Sequence, residues 1–234
     1  MKILAFDGTA KAASVAVLEN EKPLAYCTVD NGLTQSELLL PMAEDLLSSL
    51  KLGFSDIDIF ATSVGPGSFT GVRIGVSLIK GLAFGRGVPC VAVSTLEALA
   101  ENLIPLEGIL VPCMDARRNQ VYTATFRCAG EAMSRLTDDR AISLDALAEE
   151  LKKYDEPIFL SGDGYDVAHR ALTAKGVKIS KTPELLILEN AVSVGKAAYR
   201  KYTLGEYVSD TELSPTYLRL PQAERERLER LAEK

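Results

Sequence analysis

The segment Gly65-Pro66-Gly67-Ser68-Phe69-Thr70-Gly71-Val72-Arg73-Ile74-Gly75 constrains this chain more than any other. It follows an apolar run over residues 57–64 that reads as a buried strand, and it leads into a helical pattern carrying Val76, Ile79 and Leu82. Strand, glycine turn and helix are expected in that order. Gly65 and Gly67 around Pro66 allow a sharp turn, and Ser68 or Thr70 can accept hydrogen bonds from the free amides of the first helical turn. Gly67, Gly71 and Gly75 recur every four residues and leave one side of the helix as bare backbone. An interior helical glycine costs about 0.8–1 kcal/mol relative to alanine. Close packing is therefore expected on this side, by a strand beneath, by another helix or by an anion. No lysine follows Gly71, as a Walker A loop requires, and the last glycine interval is one residue too long for a dinucleotide fingerprint.

With 234 residues, 47% of them hydrophobic and 25% charged, the chain has the composition of an ordered globular protein. It is long enough for one large domain or two small ones. Asp7 interrupts the first apolar residues too early for a signal peptide, and no apolar run approaches a membrane span, so no membrane association and a cytoplasmic location are expected. Cys27, Cys90, Cys113 and Cys128 are scattered beside strand-like runs and read as buried reduced thiols. With His169 as the one histidine, no metal site is expected. A net charge of -6 argues against tight nucleic-acid binding by the chain alone.

Strand patterns at residues 2–6, 13–18 and 24–29 form an expected antiparallel meander. Asp7, at the end of the first of them, begins Asp7-Gly8-Thr9, either a plain turn or a loop able to face a hydrated metal and phosphate. Thr34-Gln35-Ser36-Glu37 has capping-box form and opens a leucine-rich helix, which Pro41 should bend or restart. After the glycine segment come a strand at 90–93 and a helix capped by Ser94 and running to about Leu103; Pro105 and Gly108 mark a boundary. The plan then repeats. A strand at 109–114 ends at Asp115, turns through Ala116-Arg117-Arg118-Asn119 and returns over 121–126; a strand at 158–160 meets Gly162-Asp163-Gly164 and a helix through His169. Arg117 and Arg118 read either as phosphate ligands or as a solvated hairpin tip. A helix from about Glu189 to Tyr202, an extended stretch over 215–219 and a charged tail from Pro221 complete the chain. Two related βββαβα lobes, residues 1–104 and 105–234, follow from the repetition.

The glycine segment resembles that of the bacterial TsaB (YeaZ) family, together with the helix over 34–42, Met114-Asp115-Ala116-Arg117 leading to Val121-Tyr122, and residues 215–219. The resemblance implies an α/β, duplicated RNase H-like fold of the actin, chaperone-ATPase and sugar-kinase superfamily. It implies a non-catalytic subunit that binds and activates a TsaD-type enzyme for threonylcarbamoyl transfer to the anticodon-adjacent adenosine of tRNAs reading A-starting codons. A TsaE-type ATPase joins the implied complex, the chain forms a homodimer when alone, and tRNA is reached only through the complex. The implied interface lies on the first helices. From the helix over 34–50 it takes Gln35, Leu38, Leu39, Met42 and Leu46; from the helix over 70–84 it takes Gly71, Arg73, Ile74, Gly75, Ser77 and Leu78. The glycine-lined side is thus expected to meet a partner. Gln35 stands where many relatives carry histidine, which lowers the expectation of a metal further. Asp7, Gly8 and Thr9, where relatives often read Asp-Thr-Ser, are candidate nucleotide ligands and leave room for ATP or ADP contact within the complex. No cofactor is otherwise expected.

The enzyme alternative is weak nucleotide binding, phosphotransfer or nuclease chemistry on Asp7, Asp115 and Asp163. Only Asp7 occupies an obvious first-strand position, and a two-metal nuclease needs several converging carboxylates. For a peptidase, no set of nucleophile, base and orienting group can be named.

Overall fold

The computed structural model describes residues 1–130 and 132–219; the expected charged tail lies outside them. β1 (Lys2–Asp7) is the centre of the first sheet. It pairs antiparallel with β2 (Ala13–Glu19), which pairs with β3 (Lys22–Val29), and parallel with β4 (Ile59–Ser63), beside which lies β5 (Cys90–Val93). The order is β3-β2-β1-β4-β5. Side chains alternate across β1 and both faces are covered. Leu4 and Phe6 join Val15, Val17 and Phe60 under α1 (Gln35–Ser49) and α2 (Phe69–Ala83). Ile3 and Ala5 join Leu18, Ile59 and Val91 under α6 (Ala191–Thr203).

The second sheet repeats the plan around β6 (Gly108–Asp115). β7 (Gln120–Thr123) and β8 (Phe126–Ala129) both pair antiparallel with β6, Cys113 opposite Thr123 and Leu110 opposite Phe126. They are one strand in register, broken opposite Pro112, which has no N–H to give the ladder. The return strand expected over 121–126 is therefore interrupted: Thr123 Oγ1 donates to the Pro112 carbonyl (2.7 Å) and the Thr125 amide donates to Thr137 Oγ1 (2.9 Å). β9 (Ala132–Arg135) and β10 (Arg140–Ser143) follow, then α4 (Leu144–Leu151), β11 (Ile158–Ser161) parallel to β6, and α5 (Tyr165–Ala174). Ile179 makes a single parallel bridge to Ile158, a vestige of the position that β5 fills in the first sheet. The duplicated RNase H-like plan is thus present in both halves.

The lobes exchange helices. α3 (Thr95–Asn102), from the first half, packs Leu96 and Leu99 against Leu110, Met114 and Phe126 of the second sheet, while α6, from the second half, covers the first sheet. In α6, a Cβ on Gly195 would lie 2.3 Å from Leu18 Cδ1. Glu101 on α3 pairs with Arg200 on α6. Chain order alone therefore does not separate the lobes at residue 104.

Two local expectations change. α1 runs unbroken through Pro41, whose ring is exposed, so the freed Glu37 carbonyl can turn to solvent. α6 starts at Ala191 with Asn190 as its N-cap, the Asn190 side chain accepting from the Val192 amide (2.8 Å).

The glycines of α2 divide by what they meet. A Cβ on Gly71 would sit 1.9 Å from the Gly8 carbonyl oxygen and one on Gly75 would sit 2.9 Å from Thr62 Oγ1, whereas one on Gly81 meets nothing within 4 Å. Gly71→Ala is expected to destabilise the chain at or beyond the upper end of the about 1–3 kcal/mol typical of an overpacked core. Gly81→Ala is expected to stabilise it by about 0.5–1 kcal/mol through helix propensity. Chemical denaturation of the two variants checks both signs.

Candidate functional site

β1 delivers Asp7 to the end of the central strand, and the chain turns back at once through Gly8 and Thr9. The turn is closed by its own side chains. The Thr9 amide and Thr9 Oγ1 donate to Asp7 Oδ1 at 2.9 and 2.7 Å, and Ser63 Oγ, from the end of β4, donates to Asp7 Oδ2 at 2.6 Å. Asp7 is 1% exposed; burial pushes its carboxyl above the ordinary range, against the lowering by the Ser63 and Thr9 hydrogen bonds. Above the turn lies the start of α2, with Gly71 against Gly8, Gly67 against Thr9, and the Ser68 amide donating to the Thr9 carbonyl (2.7 Å). From α1, Gln35 Nε2 donates to the carbonyls of Ala10 (2.6 Å) and Lys11 (3.3 Å). Asp7, Gly8 and Thr9, the candidate nucleotide ligands, are thus buried under two helix starts.

The second half supplies the mirror-image acids. The Asp115 amide, at the end of β6, donates to Asp163 Oδ1 (2.9 Å), and the Asp163 amide donates to Glu189 Oε1 (3.3 Å). Glu189 is 2% exposed, and its Oε2 has no partner among the described residues. Burial, then the charge of Asp7, pushes its pKa up to about 8. The sequence reading passed over Glu189 as a helix start; the available signal was a lone acid directly after the apolar pair Ile187-Leu188.

The geometry gathers the acids Asp115, Asp163 and Glu189. Among the described residues, no three of His, Cys, Asp and Glu are placed to hold a metal ion. Ser63 gives its proton to Asp7, and His169 lies in the other lobe, half-buried and stacked on Tyr165 with ring centroids 5.6 Å apart. That hydroxyl–carboxylate contact is closed off from solvent, Ser63 and Asp7 each being 1% exposed. Cys90, Cys113 and Cys128 are buried free thiols, and burial pushes Cys90 to about 11 and Cys113 to about 12. No helix among the described residues is long and apolar enough to cross a membrane.

The expected interface residues separate into two groups. Leu39, Met42, Gly71 and Gly75 are buried within this chain, which corrects their placement at a partner surface. Their contacts are with the first sheet and its loops, because the bare side of α2 is needed to reach Gly8 and Thr62. Gln35 is half-buried as a strut between α1 and the β1–β2 turn. Arg73 and Ser77 are exposed, and Leu38, Leu46, Ile74 and Leu78 are half-exposed at the edge of the core. With the open Gly81, the latter form an outer side that sequence periodicity did not distinguish from the inner one.

Comparison with known proteins follows the same lines. The family model for TsaD, tRNA N6-adenosine threonylcarbamoyltransferase, matches residues 34–226. The chain is 31% identical to the tRNA threonylcarbamoyladenosine biosynthesis protein TsaB of Haemophilus influenzae over 94% of each chain. It is 34% identical to TsaB of Bacillus subtilis over 69% of this chain and 71% of that one. The solved structure of YeaZ from Pseudomonas aeruginosa superposes with a TM-score of 0.76 at 27% identity, covering 93% of this chain and 99% of the other.

The buried Glu189 makes stability pH-dependent. Its folded pKa of about 8 lies above the ordinary 4.5, so the folded chain holds a proton that the unfolded chain has released between those values. The contribution is complete below pH 4.5, declines as pH rises and is gone above pH 8. Glu189→Gln is expected to be more stable than the parent at pH 8 and to lose stability less steeply between pH 5 and pH 8, measured by thermal unfolding across that range.

Proposed function

The chain belongs to the TsaB (YeaZ) family, and from that premise we propose that it is the non-catalytic partner of a TsaD-type subunit in making threonylcarbamoyladenosine in tRNA. The transfer to the anticodon-adjacent adenosine of tRNAs reading A-starting codons takes place on the partner, which this chain docks and activates. A TsaE-type ATPase joins the pair, a homodimer uses the same face when the partner is absent, and any ATP or ADP contact belongs to the assembled complex. The burial of Asp7, Thr9 and Ser63 and the satisfaction of the Asp7 carboxylate within the chain support a docking rather than a chemical role.

The observation that carries this reading is the outer side of α2. Ser77 and Gly81 lie one helical turn apart with small or no side chains, flanked by the half-exposed Ile74, Leu78 and Leu82. Gly81 lowers helix propensity and no contact among the described residues requires it. A second helix crossing at Ser77 and Gly81 could approach the backbone closely and bury the flanking apolar carbons.

Bulk at that crossing separates docking from folding. Ser77→Arg and Gly81→Leu are expected to fold as the parent does, while co-elution with the TsaD-type subunit and tRNA modification by the reconstituted system are lost. Wild-type co-elution and wild-type modification by both variants would place the docking face elsewhere.

A further inference from the structure

A second surface runs from the start of α2 to the hairpin tip after β6, and it concentrates positive charge on a chain of net charge -6. Five cations come to it from four segments: Lys11, Arg73, Arg117, Arg118 and Arg219. The extended stretch near residue 217 is the bridge. At the first lobe, Arg73 Nε donates to Tyr217 Oη (2.8 Å), and the Arg73 guanidinium lies 4.0 Å from the centroid of the Phe69 ring. Phe69 and Tyr217 have ring centroids 5.0 Å apart and remain 36% and 41% exposed. Two residues on, Arg219 reaches the second lobe. It donates to the Ala116 carbonyl (3.3 Å) and to Gln120 Oε1, and its guanidinium lies 5.5 Å from the Tyr122 ring centroid.

That contact is the base of the hairpin tip whose Arg117, Arg118 and Asn119 all have left-handed backbones, with φ of 64, 54 and 58°. The Arg117 side chain is 87% exposed. Lys11 comes from the β1–β2 turn, which the start of α2 touches through Ser68 and Thr9; burial raises the pKa of Asp163, and the charges of Arg117 and Lys11 act against that rise. Asp163 and Asp115, the latter 3.7 Å from Arg117, are the opposing carboxylates on this surface.

We infer that this rim binds single-stranded RNA, the cations holding phosphates and the exposed Phe69–Tyr217 pair stacking a base. The inference rests on the reading of the chain as part of a tRNA-modifying assembly, and it assigns the arginines of the hairpin tip a role that reading leaves open. Guanidinium groups pair with phosphate oxygens, and a ring with an open face takes any base. An acidic protein would satisfy the cations but would leave the exposed part of Tyr217, 41% accessible, without a stacking partner. The rim is small and the rest of the chain is acidic, so it adds to RNA binding within a complex rather than sustaining it alone.

The test is fluorescence anisotropy of labelled, unmodified tRNA with the complex of this chain and its TsaD-type partner, over a range of salt concentrations. The Arg117→Glu/Arg118→Glu variant is expected to bind about tenfold or more weakly at 0.1 M salt and to flatten the dependence of log K on log salt by about 1–2. Tyr217→Leu is expected to weaken binding about tenfold with the slope unchanged. Light scattering of the same samples should show wild-type assembly. Affinity and slope within twofold of the parent in both variants would overturn the inference, as would loss of subunit assembly in the charge-reversed variant, which would mark a protein-docking surface instead. If the unsubstituted subunits do not assemble, the function proposed above falls. The titration then uses the isolated chain at low salt, where the same loss is expected and its absence overturns the inference.

Discussion

The architecture depends on one close approach, that of the first turn of α2 to the β1–β2 turn, where a Cβ on Gly71 would come within 1.9 Å of the Gly8 carbonyl oxygen. No side chain fits between them, so backbone meets backbone. The approach lets the Ser68 amide reach the Thr9 carbonyl, and it roofs Asp7, whose carboxylate already ties Thr9 to Ser63. A loop that in other settings could face phosphate is thereby converted into an internal joint. The polar groups are satisfied inside the chain, and a buried carboxylate with three donors keeps the turn rigid rather than reactive.

The same joint decides which side of α2 faces outward. With Gly71 and Gly75 turned to the sheet, Arg73, Ser77 and Gly81 must point away from it. The exchange of α3 and α6 between lobes adds a second constraint, because each sheet is completed by a helix from the other half of the chain. The ion pair of Glu101 with Arg200 closes that middle layer. A unit built this way holds its outer α1–α2 face on the core of the first sheet.

Much of this was legible in the residues. The repeated order of strand, acid and turn gave the duplication, and the capping sequences at Thr34 and Ser94 placed two helix starts. The spacing of Gly67, Gly71 and Gly75 correctly demanded close packing, but spacing cannot say what packs. A strand beneath, another helix and an anion require the same bare backbone; Gly75 meets Thr62 of the strand beneath, while Gly67 and Gly71 meet the Gly8–Thr9 loop. Gly81, outside that spacing, carried no signal until the inner glycines had found their contacts. The interruption opposite Pro112 went unseen because it arises on the partner strand, not in residues 121–126. Glu189 was missed for a related reason: its burial follows from the packing of α6 onto the first sheet, a contact between residues far apart in sequence.

The central claim is that the chain docks its TsaD-type partner through the outer side of α1 and α2 and not through the acids around Asp163 and Glu189. Methyl-labelled protein titrated with the TsaD-type subunit reports on both places at once. The account predicts that the resonances of Ile74, Leu78, Leu38 and Leu46 shift or broaden on binding while those of Ile187 and Leu188, beside Asp163, stay in place. Perturbation confined to the second lobe, with the α1 and α2 methyls unmoved, would contradict it.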